Sequence, residues 1–327
     1  MNNSPNFTDI KLVLFLLNAI NISNKKMFSN FNKQTEILII ILLVTIFSLT
    51  GTGLNFGYAY LNDLDLTKIG DIFTEMPQNV ARRFFRITSA THQVFTFILP
   101  CFFFWYLVKN KKVVDYFHLS RIPLIKTLVF GFSLLILSLP LVNLSAWLNQ
   151  FLPLPQWAAT VEADTAKVIS LLLSVDHPID WLLNIIVIAA IPAIGEELFF
   201  RGIVQVKLVE HFKNPHLAIW LGATFFSFFH FQFEGLFPRI LLGALFGYIY
   251  YWSINLWIPI ILHFFNNAIL VSVPYFGLSE EVIKTDLDLS LSYSLLLSAL
   301  GAIFLGYFLI KNRSLFLDHK ETRSEEA

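Results

Sequence analysis

The hydrophobic positions of this chain form long uninterrupted runs, separated by short polar segments. A helix needs about 20 mainly apolar residues to cross the hydrocarbon core of a bilayer, and eight runs approach this length. They lie at residues 37–57, 88–108, 125–147, 180–205, 216–233, 236–253, 256–273 and 290–310. The pattern predicts an all-α polytopic membrane protein with about eight transmembrane helices.

Very short loops connect the fourth to seventh runs, so we expect these helices to pack as neighbours in a four-helix core. The chain then divides into three regions. Residues 1–179 hold the first membrane helices and an external loop, 180–275 hold the core, and 276–327 hold the last helix and a tail.

Part of the long loop before the core, residues 161–175, has acidic residues near its start and an apolar end. This pattern is typical of an amphipathic helix that lies on a membrane surface. Such a helix is either a lid over a site or a connector that touches lipid headgroups. From the sequence we favour the connector.

Composition agrees with a membrane protein. The 327 residues are 56% hydrophobic and only 14% charged, whereas soluble domains have about 25% charged residues. The formal net charge is zero, which gives no reason to expect a nucleic-acid partner. The single cysteine, Cys101, excludes an intramolecular disulfide within this sequence and a zinc site built from cysteines.

Loop charges predict the orientation, because Lys and Arg concentrate in cytoplasmic loops. Acidic residues dominate the loops at 148–179 and 274–289, which we therefore place outside, so that both termini are cytoplasmic. Lys207 and Lys213 follow the core motif closely and predict that Glu196 lies in the cytoplasmic half of its helix. The loop at 58–87 contradicts this scheme. It should be external, yet its basic residues are Lys68, Arg82, Arg83 and Arg86.

Six polar residues interrupt the apolar core region. Placing an ionisable group at the bilayer centre costs roughly 2.5–3.5 kcal/mol even on insertion scales, so such groups are candidates for function. The six residues are Glu196, Glu197, Arg201, His230, His263 and Asn267.

Helical spacing assigns different tasks to the two glutamates. Glu197 and Arg201 are four residues apart and share a helix face, so they can form an ion pair. Glu196 is about 140° around the helix from Arg201. Glu196 is then left free for general acid–base chemistry. The alternative is that all three form a buried ion network that fixes helix packing, which fits Glu196 least well.

The histidines extend this site. Phe226 lies four residues before His230 and can shield its imidazole, while His263 and Asn267 share a helix face. Alone, each would be an ordinary interhelical hydrogen-bonding residue. Together, Glu196 and one histidine can activate a water, and the other histidine and the amide can stabilise an oxyanion. Alternatively, Glu196, His230 and His263 can hold a divalent metal such as zinc.

Three motifs in this region resemble those of the CAAX-protease and bacteriocin-processing (CPBP) family of intramembrane proteases, also called the type II CAAX prenyl endopeptidase or Abi family. They are Glu-Glu-x-x-x-Arg at 196–201, Phe-x-x-x-His at 226–230 and His-x-x-x-Asn at 263–267. All three match in order, residue type and spacing. The resemblance covers about residues 180–273.

The resemblance implies an endopeptidase in which Glu196 and His230 activate water while His263 and Asn267 stabilise the oxyanion. The supporting residues would be Glu197, Arg201 and Phe226. The family is labelled metalloprotease, and the resemblance leaves the need for a metal open. It implies a membrane-associated protein or peptide as substrate, prenylated or of bacteriocin type, and a place in the bacterial plasma membrane.

Two other classes of function stay open. A proton-coupled transporter could relay protons through Glu196 and the histidines. Transporters commonly show broken helices in matching halves, and we find no such pairing in the sequence. A non-catalytic membrane immunity or interaction protein could retain the same motifs for structure.

Overall fold

The computed structural model of the chain describes residues 31–64, 77–108, 112–175, 177–277 and 291–312, and no strand occurs among them. The all-α class is therefore confirmed. Parts of the chain on which the predicted orientation depends lie outside the described residues, namely Lys68, residues 278–289 and most of the C-terminal tail.

The helices of the described part follow the apolar runs. They are α1 (Lys33–Leu61), α2 (Gln78–Val108), α3 (Val113–Tyr116), α4 (Ile125–Asn149), α5 (Gln156–Leu173), α6 (Pro178–Phe212), α7 (Pro215–Phe228), α8 (Leu236–Ser253), α9 (Trp257–Tyr275) and α10 (Leu291–Asn312). Within this part, α1, α2, α4, α6 and α9 are long and apolar enough to cross a membrane. The protein is an integral membrane protein, and the number of eight crossings stays a prediction.

Helices α6 to α9 pack as neighbours, as their short loops predict. Helix α7 lies against α6 and α8, α9 contacts both α6 and α8, and α4 packs on the outside of α8 and α9. Helices α7 and α8 approach each other closely, since a Cβ atom added at Gly243 would lie only 3.1 Å from Cβ of Ala223. Small residues allow helix backbones in membranes to approach this closely.

One predicted boundary is wrong. The run at 216–233 was expected to be a single helix, but α7 ends at Phe228 and the chain turns before α8 begins at Leu236. The backbone of Phe231 adopts a left-handed conformation with φ of 51°, which a non-glycine residue adopts only under constraint. His230 therefore lies on a turn. The sequence on both sides of the turn is rich in phenylalanine, so the apolar run continues through the end of the helix.

Helix α6 contains two segments of π-helix, Ile185–Ala190 and Phe200–Gln205, which lie on either side of Glu196 and Glu197. Such wide turns are rare and occur frequently at functional sites. Glu196 itself lies on the regular α-helical segment between them.

Two arginines explain why the charge of the loop at 58–87 disagrees with the predicted orientation. The Arg86 side chain is buried, and its Nη1 lies 2.5 Å from Oδ1 of Asp180 while its Nε donates to Oδ1 of Asn184 at 2.8 Å. Arg82 donates to the carbonyl oxygen of Ser174. These arginines join α2 to α5 and α6, so their charge serves packing and is a poor guide to the side of the membrane.

Helix α5 begins before the predicted segment at 161–175 and ends two residues short of its end. Its Leu172 packs with the buried residues Ala59, Ala81, Phe84 and Phe85. The Asn184 amide also donates to the Leu172 carbonyl oxygen. The helix is thus fixed across one end of the bundle.

Candidate active site

A cavity of about 680 Å³ opens between α2, α5, α6, α8 and α9. Five of the residues singled out from the sequence line it, although they come from three separate segments of the chain. They are Glu196, Phe226, His230, His263 and Asn267. Thr165, Val168, Ile169 and Leu172 of α5 form one wall. This position supports the lid interpretation of α5 over the connector that we favoured.

Glu196 is only 3% exposed and is held by one hydrogen bond, from Nε2 of Gln93 to its Oε1 at 3.0 Å. Its Oε2 is buried and has no hydrogen-bond partner among the described residues. His230 Nε2 and His263 Nε2 lie 3.8 and 3.9 Å from this oxygen. Both distances are too long for a direct hydrogen bond. The buried oxygen therefore faces two imidazoles across a gap.

Hydrogen-bond chemistry sets the tautomers of both histidines. Nδ1 of His230 lies 2.8 Å from the carbonyl oxygen of Phe226, which can only accept. Nδ1 of His263 lies 2.9 Å from Oε1 of Glu197, which accepts when ionised. Each Nδ1 then carries the proton, and each neutral ring presents a bare Nε2 to Glu196. One water that hydrogen-bonds to both the carboxylate and an imidazole fits this gap.

Glu197 and Arg201 form the predicted ion pair behind the cavity. Nη1 of Arg201 lies 2.7 Å from Oε1 of Glu197, and Nη2 donates to the carbonyl oxygen of Gly243 at 2.8 Å. The guanidinium also lies against the rings of Phe226 and Phe246, 4.9 and 5.7 Å from their centroids. Glu197 thus orients His263 and is neutralised by Arg201.

Asn267 lines the cavity on α9, one turn beyond His263. Its Nδ2 lies 3.5 Å from the carbonyl oxygen of Ile188, at the limit of a hydrogen bond, and its Oδ1 accepts from Asn266 at 3.3 Å. The amide is held loosely and can donate to a bound group. His263 can donate from Nε2 only when it carries a second proton.

The sequence reasoning missed several polar residues that line the cavity. They are Thr88, Ser89, His92, Gln93, Gln232 and Arg239. The first four form a polar patch, TSATHQ, inside a predicted membrane run, and Arg239 interrupts another run in FPRILL. These interruptions were visible as signals, but nothing in the sequence places them beside Glu196.

The residue types of a metal site are present, namely one carboxylate and two imidazoles. Both imidazoles are also oriented through Nδ1, as in metal centres. The spacing does not fit. Two ligands on one tetrahedral zinc lie about 3.4 Å apart, less than the 3.8 and 3.9 Å between Glu196 Oε2 and the two Nε2 atoms. Among the described residues, no group of three His, Cys, Asp or Glu side chains is arranged to hold a metal ion.

The fold and the cavity define an integral membrane protein with a buried carboxylate–imidazole site. Residues 178–269 match the family model of the type II CAAX prenyl endopeptidases, described as Rce1-like. This match confirms the resemblance found in the three motifs, and the similarity covers that segment.

A curated relative gives a weaker match. The chain is 29% identical over 90 residues to the protein of Bacillus subtilis (strain 168) named Uncharacterized protein YpbD. The alignment covers 26% of this chain and 43% of that relative, so the chain spans less than half of the relative's length. No solved structure matches the chain significantly.

Proposed function

We propose that the protein is an intramembrane endopeptidase that hydrolyses a peptide bond with water activated at Glu196. The observation that carries this proposal is the buried, unpaired Oε2 of Glu196, which faces two imidazole Nε2 atoms in a cavity. Buried polar groups that serve only packing are almost always hydrogen-bonded. A free carboxylate oxygen at a cavity wall favours chemistry over packing.

The reaction follows from the geometry. A water between Oε2 of Glu196 and Nε2 of His230 loses a proton to the carboxylate as its oxygen attacks the carbonyl carbon of the scissile bond. Glu196 then returns this proton to the leaving nitrogen as the carbon–nitrogen bond breaks. A positioned general base and acid of this kind contributes typically 10²–10⁴-fold in rate.

The oxyanion of the tetrahedral intermediate needs hydrogen-bond donors directed at the former carbonyl oxygen. Nδ2 of Asn267 is loosely held and can supply one, and a doubly protonated His263 can supply another. Because both imidazoles are almost equally far from Glu196, His263 can also exchange roles with His230.

The substrate we propose is a membrane-associated protein or peptide, prenylated or of bacteriocin type, and the location is the bacterial plasma membrane with both termini cytoplasmic. The cavity adds a constraint to this orientation. It is walled by α5, which belongs to the loop predicted to be external. The cavity then faces the outer end of the bundle, in tension with the predicted cytoplasmic position of Glu196. Labelling of cysteines introduced singly into α5, from either side of the membrane, would establish which side it faces.

The test of the function compares newly formed peptide termini in membranes of cells that express the wild type or Glu196→Gln at equal levels. We expect termini that appear with the wild type and are missing with Glu196→Gln. Asp164→Asn is the matched control, because Asp164 lies on the exposed side of α5 and pairs only with Lys167 among the described residues. Identical termini in the wild type and Glu196→Gln would contradict the proposal and favour the transporter or the non-catalytic membrane protein.

A further inference from the structure

Arg239 lies in the first turn of α8 and lines the same cavity as Glu196. Its Nε and Nη2 are buried and have no hydrogen-bond partner among the described residues. Its Nη1 donates only a long bond of 3.3 Å to Oε1 of Gln232. Most of the donor capacity of this guanidinium is therefore unused.

Arg201 and Arg86 are the buried arginines of the described region, and they differ from Arg239, which is partly buried. Arg201 and Arg86 each have a carboxylate oxygen within 2.7 Å. Glu162 on α5 accepts a hydrogen bond from the backbone N–H of Glu234 at 2.8 Å, and no ion pair between Glu162 and Arg239 is found in the described structure. The carboxylates of Glu162 and Glu196 act on this guanidinium through space without bonding to it, so its two unbonded nitrogen atoms remain available for a ligand.

We propose, on the basis of the proposed function, that Arg239 binds a carboxylate of the substrate peptide. A guanidinium presents a planar fork of N–H groups that matches a carboxylate bidentately. The carboxylate is either the free C-terminus of the peptide or the side chain of an acidic residue. In both cases it anchors the peptide while the scissile carbonyl lies at Glu196.

The shape of the cavity agrees with a peptide that is apolar apart from this group. Its volume of about 680 Å³ is within the usual range for ligand sites. Apolar side chains of three helices line it, including Val168, Leu172, Leu242 and Leu270. One cation in such a wall selects the position of a single negative charge. Arg239 therefore sets where along the chain the substrate is cut.

Gly235 allows the guanidinium to change position. The guanidinium lies over this residue, where an added Cβ would be 2.5 Å from Nη1 and 3.1 Å from Cζ. With no side chain at this point, the arginine rests against the backbone of Gly235, and in the proposed binding mode it turns from there towards the carboxylate. Its two unpaired nitrogen atoms then become available together.

The experiment measures binding of three fluorescent probes to the purified full chain in detergent. The probes are an apolar hexapeptide with a free C-terminal carboxylate, the same peptide with a C-terminal amide, and the amide form with one internal glutamate. All variants carry Glu196→Gln so that binding is read without hydrolysis. We expect the acid form to bind about tenfold more tightly than the plain amide, as one charge-assisted pair allows.

Arg239→Met should abolish this preference, Arg239→Lys should retain part of it, and the exposed Arg83→Met should leave it unchanged. Recovery of affinity by the amide peptide with glutamate assigns the site to an acidic side chain, and its absence assigns it to the C-terminus. Thermal unfolding of each variant shows whether the fold is intact.

Equal binding of all three probes, no binding of any of them, or a preference that survives Arg239→Met would overturn the proposal. Equal binding combined with Arg239-dependent binding of phosphatidylglycerol would assign the site to a lipid headgroup. If the wild type releases no new peptide termini but the carboxylate preference is present, the binding site at Arg239 is supported and only the proposed protease activity is contradicted.

Discussion

Two buried charged clusters in this protein differ in one respect. At one end of α6, Nζ of Lys207 contacts Oε2 of Glu36 at 2.5 Å and Oε2 of Glu210 at 2.7 Å, and none of the three lines the cavity. In the middle of α6, Oε2 of Glu196 is buried with no hydrogen-bond partner in the described structure and faces the cavity. The first cluster is bonded within the protein, and the second is open to a ligand.

The difference separates structural from chemical roles. The Lys207 cluster joins α1 to α6, so removing its charge should reduce stability. Glu196 makes a single hydrogen bond to the described part of the chain, so removing its charge should affect activity and leave the fold almost unchanged. Sequence composition alone does not distinguish the two, because both consist of carboxylates and a cation or imidazole in apolar helices.

The largest effect is expected for Glu196→Gln. It keeps the side-chain shape but removes the base, so the cleavage rate should fall by about 10³-fold or more. Measured with the substrate found from new peptide termini, the loss should appear in kcat, while the unfolding midpoint stays within about 2 °C. A variant with more than a tenth of the wild-type rate would assign the base elsewhere.

The opposite pattern is expected for Lys207→Met. Removing this cation leaves buried Glu36 without its ion-pair partner Lys207, which costs about 3–5 kcal/mol. Denaturant unfolding should show this loss, whereas activity per folded molecule should change little. Adding Glu36→Gln to Lys207→Met should recover part of the stability, since it removes the negative charge that Lys207 no longer balances. No recovery in the double variant would show that the two residues are not coupled.

A smaller effect is expected for Gln93→Leu, which removes the only hydrogen bond that orients Glu196 in the described structure. The carboxylate becomes free to rotate away from the water, and kcat should fall by roughly tenfold, as for the loss of one charged hydrogen bond. KM should change less than twofold. Thr88→Val is the control, because Thr88 also lines the cavity but bonds to its own backbone at Phe84. Equal losses in both variants would indicate a general effect on packing.

The smallest effect is expected from a metal chelator. The distances from Glu196 Oε2 to the two Nε2 atoms suit a bridging water better than a shared zinc ion. Chelation should therefore change the rate less than twofold. Loss of activity that returns with added zinc would contradict this expectation and support the metal site predicted from Glu196, His230 and His263.

What could be predicted from the sequence depends on how local each contact is. The ion pair of Glu197 with Arg201 and the contact of Phe226 with His230 follow from a spacing of four residues, and both are present. Helical periodicity fixes such pairs because it acts within one turn. The all-α membrane class follows from the apolar runs for the same reason.

Contacts between distant segments could not be predicted in this way. Gln93 and Glu196 are 103 residues apart, and their contact depends on how α2 packs on α6. The turn at His230 was also missed, because Phe231 has no local feature that marks a left-handed backbone. The role of Arg86 depends on a distant contact in the same way. Its sequence position indicates a loop charge, whereas the structure pairs it with Asp180.

The bond from Arg201 to the carbonyl oxygen of Gly243 is made to the main chain. No substitution at position 243 can remove this acceptor, and only a displacement of α8 can break the contact. Ala223 lies close enough to Gly243 to oppose even an added methyl group. The alignment of the Glu197–Arg201 ion pair is thus tied to the distance between two helix backbones, and substitutions on the outer surfaces of these helices can accumulate without disturbing it.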